Sequence, residues 1–116
     1  MEHHHQVLDD LRAPTKDLHR AAPEVMKGFG ALHQAAMADG EVSVAMKECV
    51  ALAISVVKHC EGCIAYHARG AAKAGATRGQ VAETLGVAVL MEGGPATIYG
   101  PRAWEAFLEF EEEATT

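Results

Sequence analysis

"ECVALAISVVKHCEGCIAYH", Glu48 to His67, decides how the rest of the chain is read. From Cys49 to Val57 every residue except Ser55 is apolar, so a helix formed by this run would be apolar all round, the mark of a helix buried on most sides. At about 100° per residue, Leu52, Ser55 and His59 fall within about 40° of Glu48, which sets a carboxylate and an imidazole on one stripe. Cys60, Cys63 and His67 follow at spacings of three and four, which aligns them on one face of a second helix. Two such helices, packed antiparallel or at a shallow angle, would bring a carboxylate, two thiols and one or two imidazoles together.

Helical periodicity also governs the flanking sequence, and no alternating strand pattern competes with it; the expected fold class is all-α, a single-domain helical bundle. Pro23 suits the first turn of a helix carrying Val25, Met26, Phe29, Leu32, Ala36 and Met37, which Asp39-Gly40 ends. Ser43 is the N-cap candidate for the helix that runs to about Lys58. The next helix should begin close to Cys60 and stop near Gly75. Thr77 with Gln80 forms a capping-box pattern for a helix through about Met91, and Gly93-Gly94-Pro95 breaks it. A last helix holds Tyr99, Trp104, Phe107, Leu108 and Phe110, with Pro101 either a kink or its true start. Upstream, Gln6 to Leu11 reads as a short helix interrupted at Pro14-Thr15. Residues 1–22 are therefore expected to be an N-terminal tail with a short helix, and 23–116 the helical domain. His3–His5 is read as a solvated or appended tail in preference to a metal-binding tract.

A chain of 116 residues with a formal charge of −6, no basic cluster and few aromatic side chains argues against nucleic-acid binding and polybasic membrane attachment. No apolar run is long enough to span a bilayer and the first residues lack a signal-peptide pattern, so the expected location is cytoplasmic. Three cysteines do not make a disulfide framework of the secreted type; a CxxC pair in a reducing compartment points to metal binding or redox turnover. Two helices that are apolar all round, the second at "GVAVLM" (Gly86–Met91), exceed what so short a chain covers by itself. Subunit contacts are expected there and along the small-residue helix from Ala65 to Ala74.

The chemistry needs these residue types for a definite reason. A thiolate, not a thiol, attacks a peroxide or disulfide, and an unperturbed cysteine is only a few per cent ionised at neutral pH. His67, one turn beyond Cys63, is placed to take the proton. Glu48 can orient that histidine or act as the base through a water. The second cysteine then closes an intramolecular disulfide before over-oxidation proceeds. Cys60 is nearer the positive end of the helix dipole and Cys63 is nearer His67, so local spacing leaves the nucleophile open. Two other readings stay in play: zinc held by Cys60, Cys63, His67 and Glu48, and a non-catalytic helical assembly module whose thiols only sense oxidation. Cys49, alone in a buried apolar helix, reads as core, His59 as a cation at a helix end, and His19 and His33 as surface or core fillers. Trp104 reads as packing.

Glu48, eleven intervening residues, Cys60-x-x-Cys63, three residues and His67 together resemble the AhpD-like alkylhydroperoxidases of the carboxymuconolactone decarboxylase superfamily. The resemblance runs roughly from Pro23 to Phe110 and includes "GGPA" after the apolar helix. It implies an all-helical, AhpD-like fold, homo-oligomers such as trimers or hexamers, and a thiol-dependent peroxidase or disulfide reductase that uses no cofactor or metal. Its decarboxylase branch lacks the CxxC pair. Carried over by position, Cys63 would become the sulfenic acid, Cys60 would donate a proton and close the disulfide, and Glu48 and His67 would be the proton relay. The implied partners are a hydroperoxide or disulfide substrate and a lipoyl-protein or thioredoxin-like reductant.

Overall fold

Ser43 starts the helix that carries Glu48: its side-chain oxygen accepts the Met46 backbone N–H at 3.2 Å, fixing the first turn. The structure, a computed structural model, describes residues 3–115, and among them it contains six helices and no strand. These are α1 (His3–Ala21), α2 (Pro23–Met37), α3 (Val44–Val57), α4 (Glu61–Lys73), α5 (Arg78–Glu92) and α6 (Ala96–Thr115). The expected all-α fold is present. Its boundaries follow local chemistry, with Pro23 at the start of α2, a complete Thr77–Gln80 capping box on α5, and Gly75 and Gly93 in the left-handed region after α4 and α5. Pro101 lies inside α6 and is not its start.

The N-terminal segment departs from expectation. In place of a tail and a short helix, α1 runs unbroken through Pro14. A proline in a helix interior costs about 3 kcal/mol, and here packing against α4 and ties to α6 offset that local penalty. His3–His5 are the first turn of α1 and not a solvated tail. His4 is buried, and the Glu109 carboxylate of α6 accepts the backbone N–H groups of His4 (3.3 Å) and His5 (2.8 Å). That carboxylate caps α1 from another helix, meeting the positive end of its dipole.

At the centre lies α4, against α6, α3 and α1, with α5 closing over α3 and α6. Ala65, Ala68 and Ala71 are fully buried, so these small side chains of α4 serve close packing inside the subunit. Phe107 and Phe110 fill the space against Leu52, Val56 and Ile64. Each buried side chain of this size contributes about 1.5–3 kcal/mol relative to exposure. On α3, Cys49, Leu52 and Val56 are buried, whereas Val50, Ile54 and Val57 are exposed together with Val87, Leu90 and Met91 of α5. No helix is long and apolar enough to cross a membrane among the described residues.

Candidate active site

A sharp turn between α3 and α4 sets up the site. Lys58 N–H bonds to Ile54 O, and His59 then takes φ 54°, the left-handed region that costs a non-glycine residue about 1–2 kcal/mol. Two contacts hold it there: His59 Nε2 lies 2.8 Å from Glu92 Oε2, and its ring stacks on Tyr99 with centroids 4.4 Å apart. His59 is thereby swung toward α5 and α6. It does not join Glu48, although helical counting set both on one stripe, because the helix has ended before it. The turn delivers Cys60 to the N-cap of α4, where its sulfur accepts the Cys63 backbone N–H at 3.2 Å. Cys60 and Cys63 are joined as a disulfide across a Cα–Cα distance of 5.2 Å.

One turn further along α4, His67 Nδ1 is 2.7 Å from Glu48 Oε1. Glu48 is only 8% exposed, and its carboxylate lies in a space that a residue with a side chain would fill: a Cβ at Gly70 would stand 2.2 Å from Oε2. With Glu48 accepting from Nδ1–H, the lone pair of the neutral imidazole is carried by Nε2. Tyr66 meets His67 edge-on, with ring centroids 5.1 Å apart. The arrangement therefore pairs a disulfide with an oriented proton acceptor one helical turn away.

In front of these residues is a cavity of about 890 Å³, walled by α1, α2 and the start of α4. Cys60, Cys63, Tyr66 and His67 line it, with Val7, Leu11, Met26 and Phe29 as apolar walls. His19 and His33 were expected to be fillers, yet both face this cavity. His33 meets Tyr66 edge-on, and its Nε2 is shielded from solvent with no hydrogen-bond partner. Neither histidine carries a sequence signal, because α1 and α2 reach the dithiol only through tertiary packing. Cys49 is buried away from the cavity and has no disulfide partner; burial pushes its thiol up, against a smaller opposing effect of the Thr84 side chain. Trp104 packs at the edge of the core, tilted against Phe107. Among the described residues no three His, Cys, Asp or Glu side chains are grouped to hold a metal ion, so the Cys60, Cys63, His67 and Glu48 set does not form a zinc site as arranged.

The model of the carboxymuconolactone decarboxylase family matches residues 23–110 of the chain. The chain belongs to this family. The chain is also similar to an uncharacterized protein of Cupriavidus necator, 38% identical over 100 residues (86% of this chain and 88% of that one), and to "Uncharacterized protein 4 in cox locus" of Paracoccus denitrificans, 34% identical over 84 residues (72% and 76%). Among solved structures, an apo carboxymuconolactone decarboxylase family protein of Legionella pneumophila superposes with a TM-score of 0.92 at 40% identity, covering 96% of this chain and 99% of its own. The likeness to that structure therefore extends into α1, beyond the segment that the family model matches.

Proposed function

We propose that this family member is a thiol-dependent peroxidase or disulfide reductase, with Cys60 and Cys63 as its redox pair and Glu48 and His67 as its proton relay. One observation supports this most: the Glu48–His67 hydrogen bond stands beside the Cys60–Cys63 disulfide, on the same cavity. In the reduced protein His67 takes the Cys63 proton. The thiolate attacks the outer peroxide oxygen, the O–O bond breaks, and Cys63 becomes a sulfenic acid while the departing alkoxide takes a proton from His67 and leaves as the alcohol. Cys60 then attacks the Cys63 sulfur, the S–O bond breaks, water leaves and the disulfide forms. An external dithiol, of lipoyl or thioredoxin-like type, supplies two electrons and two protons to restore both thiols. We place Cys63 as nucleophile, the role that the resemblance to the AhpD-like proteins implies, with His67 one turn away and Cys60 at the N-cap as the resolving partner.

Consumption of cumene hydroperoxide by the reduced protein with dihydrolipoamide tests the reading. Turnover should vanish in Cys63→Ser, and peptide mapping after one equivalent of peroxide should find Cys60 linked to Cys63 with Cys49 free. Linkage through Cys49, or no peroxide consumption, would remove the dithiol mechanism.

A further inference from the structure

We propose that the dithiol cavity continues into a basic pocket that binds a carboxylate, so that the substrate class is an apolar hydroperoxide bearing a carboxylate, of the fatty-acid type; this rests on the peroxidase reading above. A second pocket, of about 640 Å³, shares Leu11, Thr15, His19, Gly62 and Tyr66 with the dithiol cavity, so the two adjoin along the contact of α1 with α4. Its remaining charged lining is Arg12, Lys16, Arg20 and Arg69, with no acidic residue. That runs against the chain's average, which is acidic by six charges.

The state of these cations matters. Arg12 and Arg20 are taken up by exposed neighbours on their own helix, Asp9 and Asp17, each at 3.2 Å. Lys16 and Arg69 have no carboxylate partner among the described residues. Arg69 is also half-buried and held 5.5 Å from the centre of the Tyr66 ring. A guanidinium so fixed presents a planar fork that matches a carboxylate in two hydrogen bonds. Tyr66 links the two ends, since the ring beneath Arg69 is the one that meets His67 edge-on.

The chemistry of the walls narrows the ligand. Hydrogen peroxide would make no use of Val7, Met26 and Phe29, and a neutral alkyl hydroperoxide would make no use of Arg69. The acids lie on the dithiol cavity and not on the basic pocket: Asp10, which accepts from Gln6 at 2.7 Å, and Glu61, which lies against His3 (3.4 Å) and Arg102 (3.9 Å), so a carboxylate is directed away from the disulfide and toward Arg69.

Two measurements decide it. In calorimetry on the oxidised protein, dodecanoate should bind at least about 10-fold more tightly than dodecanol, the scale of one charge-assisted contact. Arg69→Gln should remove that difference, and Arg69→Lys, which keeps the charge, should retain part of it. In turnover, a fatty-acid hydroperoxide should be preferred over its methyl ester in kcat/KM, with the preference lost in Arg69→Gln. Equal binding of acid and alcohol, or a preference unmoved by Arg69→Gln, overturns the proposal. If both hydroperoxides are consumed at equal rates, the carboxylate pocket falls and the peroxidase stands. If neither is consumed while dodecanoate binding depends on Arg69, the pocket stands and the peroxidase falls.

Discussion

Gly70 holds open the space occupied by the carboxylate of Glu48, since a Cβ at that position would lie 2.2 Å from Oε2 and 2.5 Å from Cδ. The obstacle is the end of a side chain and not backbone, so Gly70→Ala should fold by pushing the carboxylate aside. Doing so breaks its bond to His67. We expect Gly70→Ala to lose at least about 10-fold in peroxidase turnover, toward the loss of a missing acid–base group, while helicity and disulfide formation persist. In a Glu48→Ala background the same change should cost nothing further, because the clash is gone. Full activity in Gly70→Ala would show that the position of Glu48 is immaterial.

Glu48→Gln separates charge from shape. Glutamine keeps the size and much of the hydrogen bonding but cannot titrate, so a structural role would survive and a relay would not. Turnover should fall by about 100- to 10,000-fold, and His67→Gln should do likewise. The double variant should lose far less than the product of the two, because members of one relay are not additive. Thiol alkylation followed against pH gives the independent check: Cys63 should react at lower pH in the parent than in either variant. An unchanged alkylation profile would return Glu48 to a structural role.

What was legible in the sequence follows the range of the interactions. Ser43, Pro23 and the Thr77–Gln80 box act within four residues, and they set helix starts that the structure reproduces. Glu48 and His67 were legible as members of one site because the two helices are adjacent and periodic. His59 failed for a reason of the same range: counting at a helical angle assumes that the helix continues, and the left-handed turn at His59 ends it. The path of α1 could not be read, since its cap, Glu109, comes from 104 residues away, and a local rule for Pro14 cannot register that support. His19 and His33 reach the dithiol cavity by tertiary packing alone, and no spacing announces them.

The α1 latch should depend on pH. His5 is bonded to Glu109 and then to Glu113, and both raise its pKa above the ordinary 6.5. Burial pushes Glu109 up, but the bonds from the His5 ring and from the His5 and His4 backbone outweigh it, leaving its pKa below the ordinary 4.5. A raised histidine stabilises fully below its unfolded pKa and loses that contribution as pH rises through its folded value; a lowered carboxyl stabilises above its unfolded pKa and fails as pH falls through its folded one. The window of strongest docking therefore lies between pH 4.5 and 6.5. Hydrogen-exchange protection of the first turns of α1, corrected for intrinsic rates, should be greatest there and decline on both sides. Glu109→Ala, which leaves two helix N–H groups without their acceptor, should destabilise the fold by about 1–3 kcal/mol. Protection that stays flat from acid to mildly basic pH would mean that packing alone holds α1.

The outer face of α3 and α5 should be covered by a second copy of the chain. Leu90 and Met91 are 78% and 77% exposed, and Val87, Ile54 and Val57 continue the apolar surface beside them. These side chains belong to the segments that the sequence marks as apolar all round, and the subunit itself buries only one side of each. Between the helices lies a groove lined by Ala53, Ile54, Val57, Val87 and Met91, with Lys58 its only charged residue. Leaving such a face in water forgoes about 25 cal/mol for every Å² of apolar surface, and contiguous patches of this kind mark interaction sites on soluble proteins. Self-association is the economical occupant because every copy carries the same face, and a closed homo-oligomer, a trimer or hexamer, is the assembly we expect. Sedimentation velocity at micromolar concentration should show it. Leu90→Asp and Met91→Asp each place a charge in the contact, so each should shift the protein toward monomer while its helicity is kept. The core is untouched by either change, so loss of assembly with an intact fold would locate the interface on this face. A parent protein that sediments as a monomer, or an oligomer indifferent to both substitutions, would show that these side chains are not covered by a partner subunit.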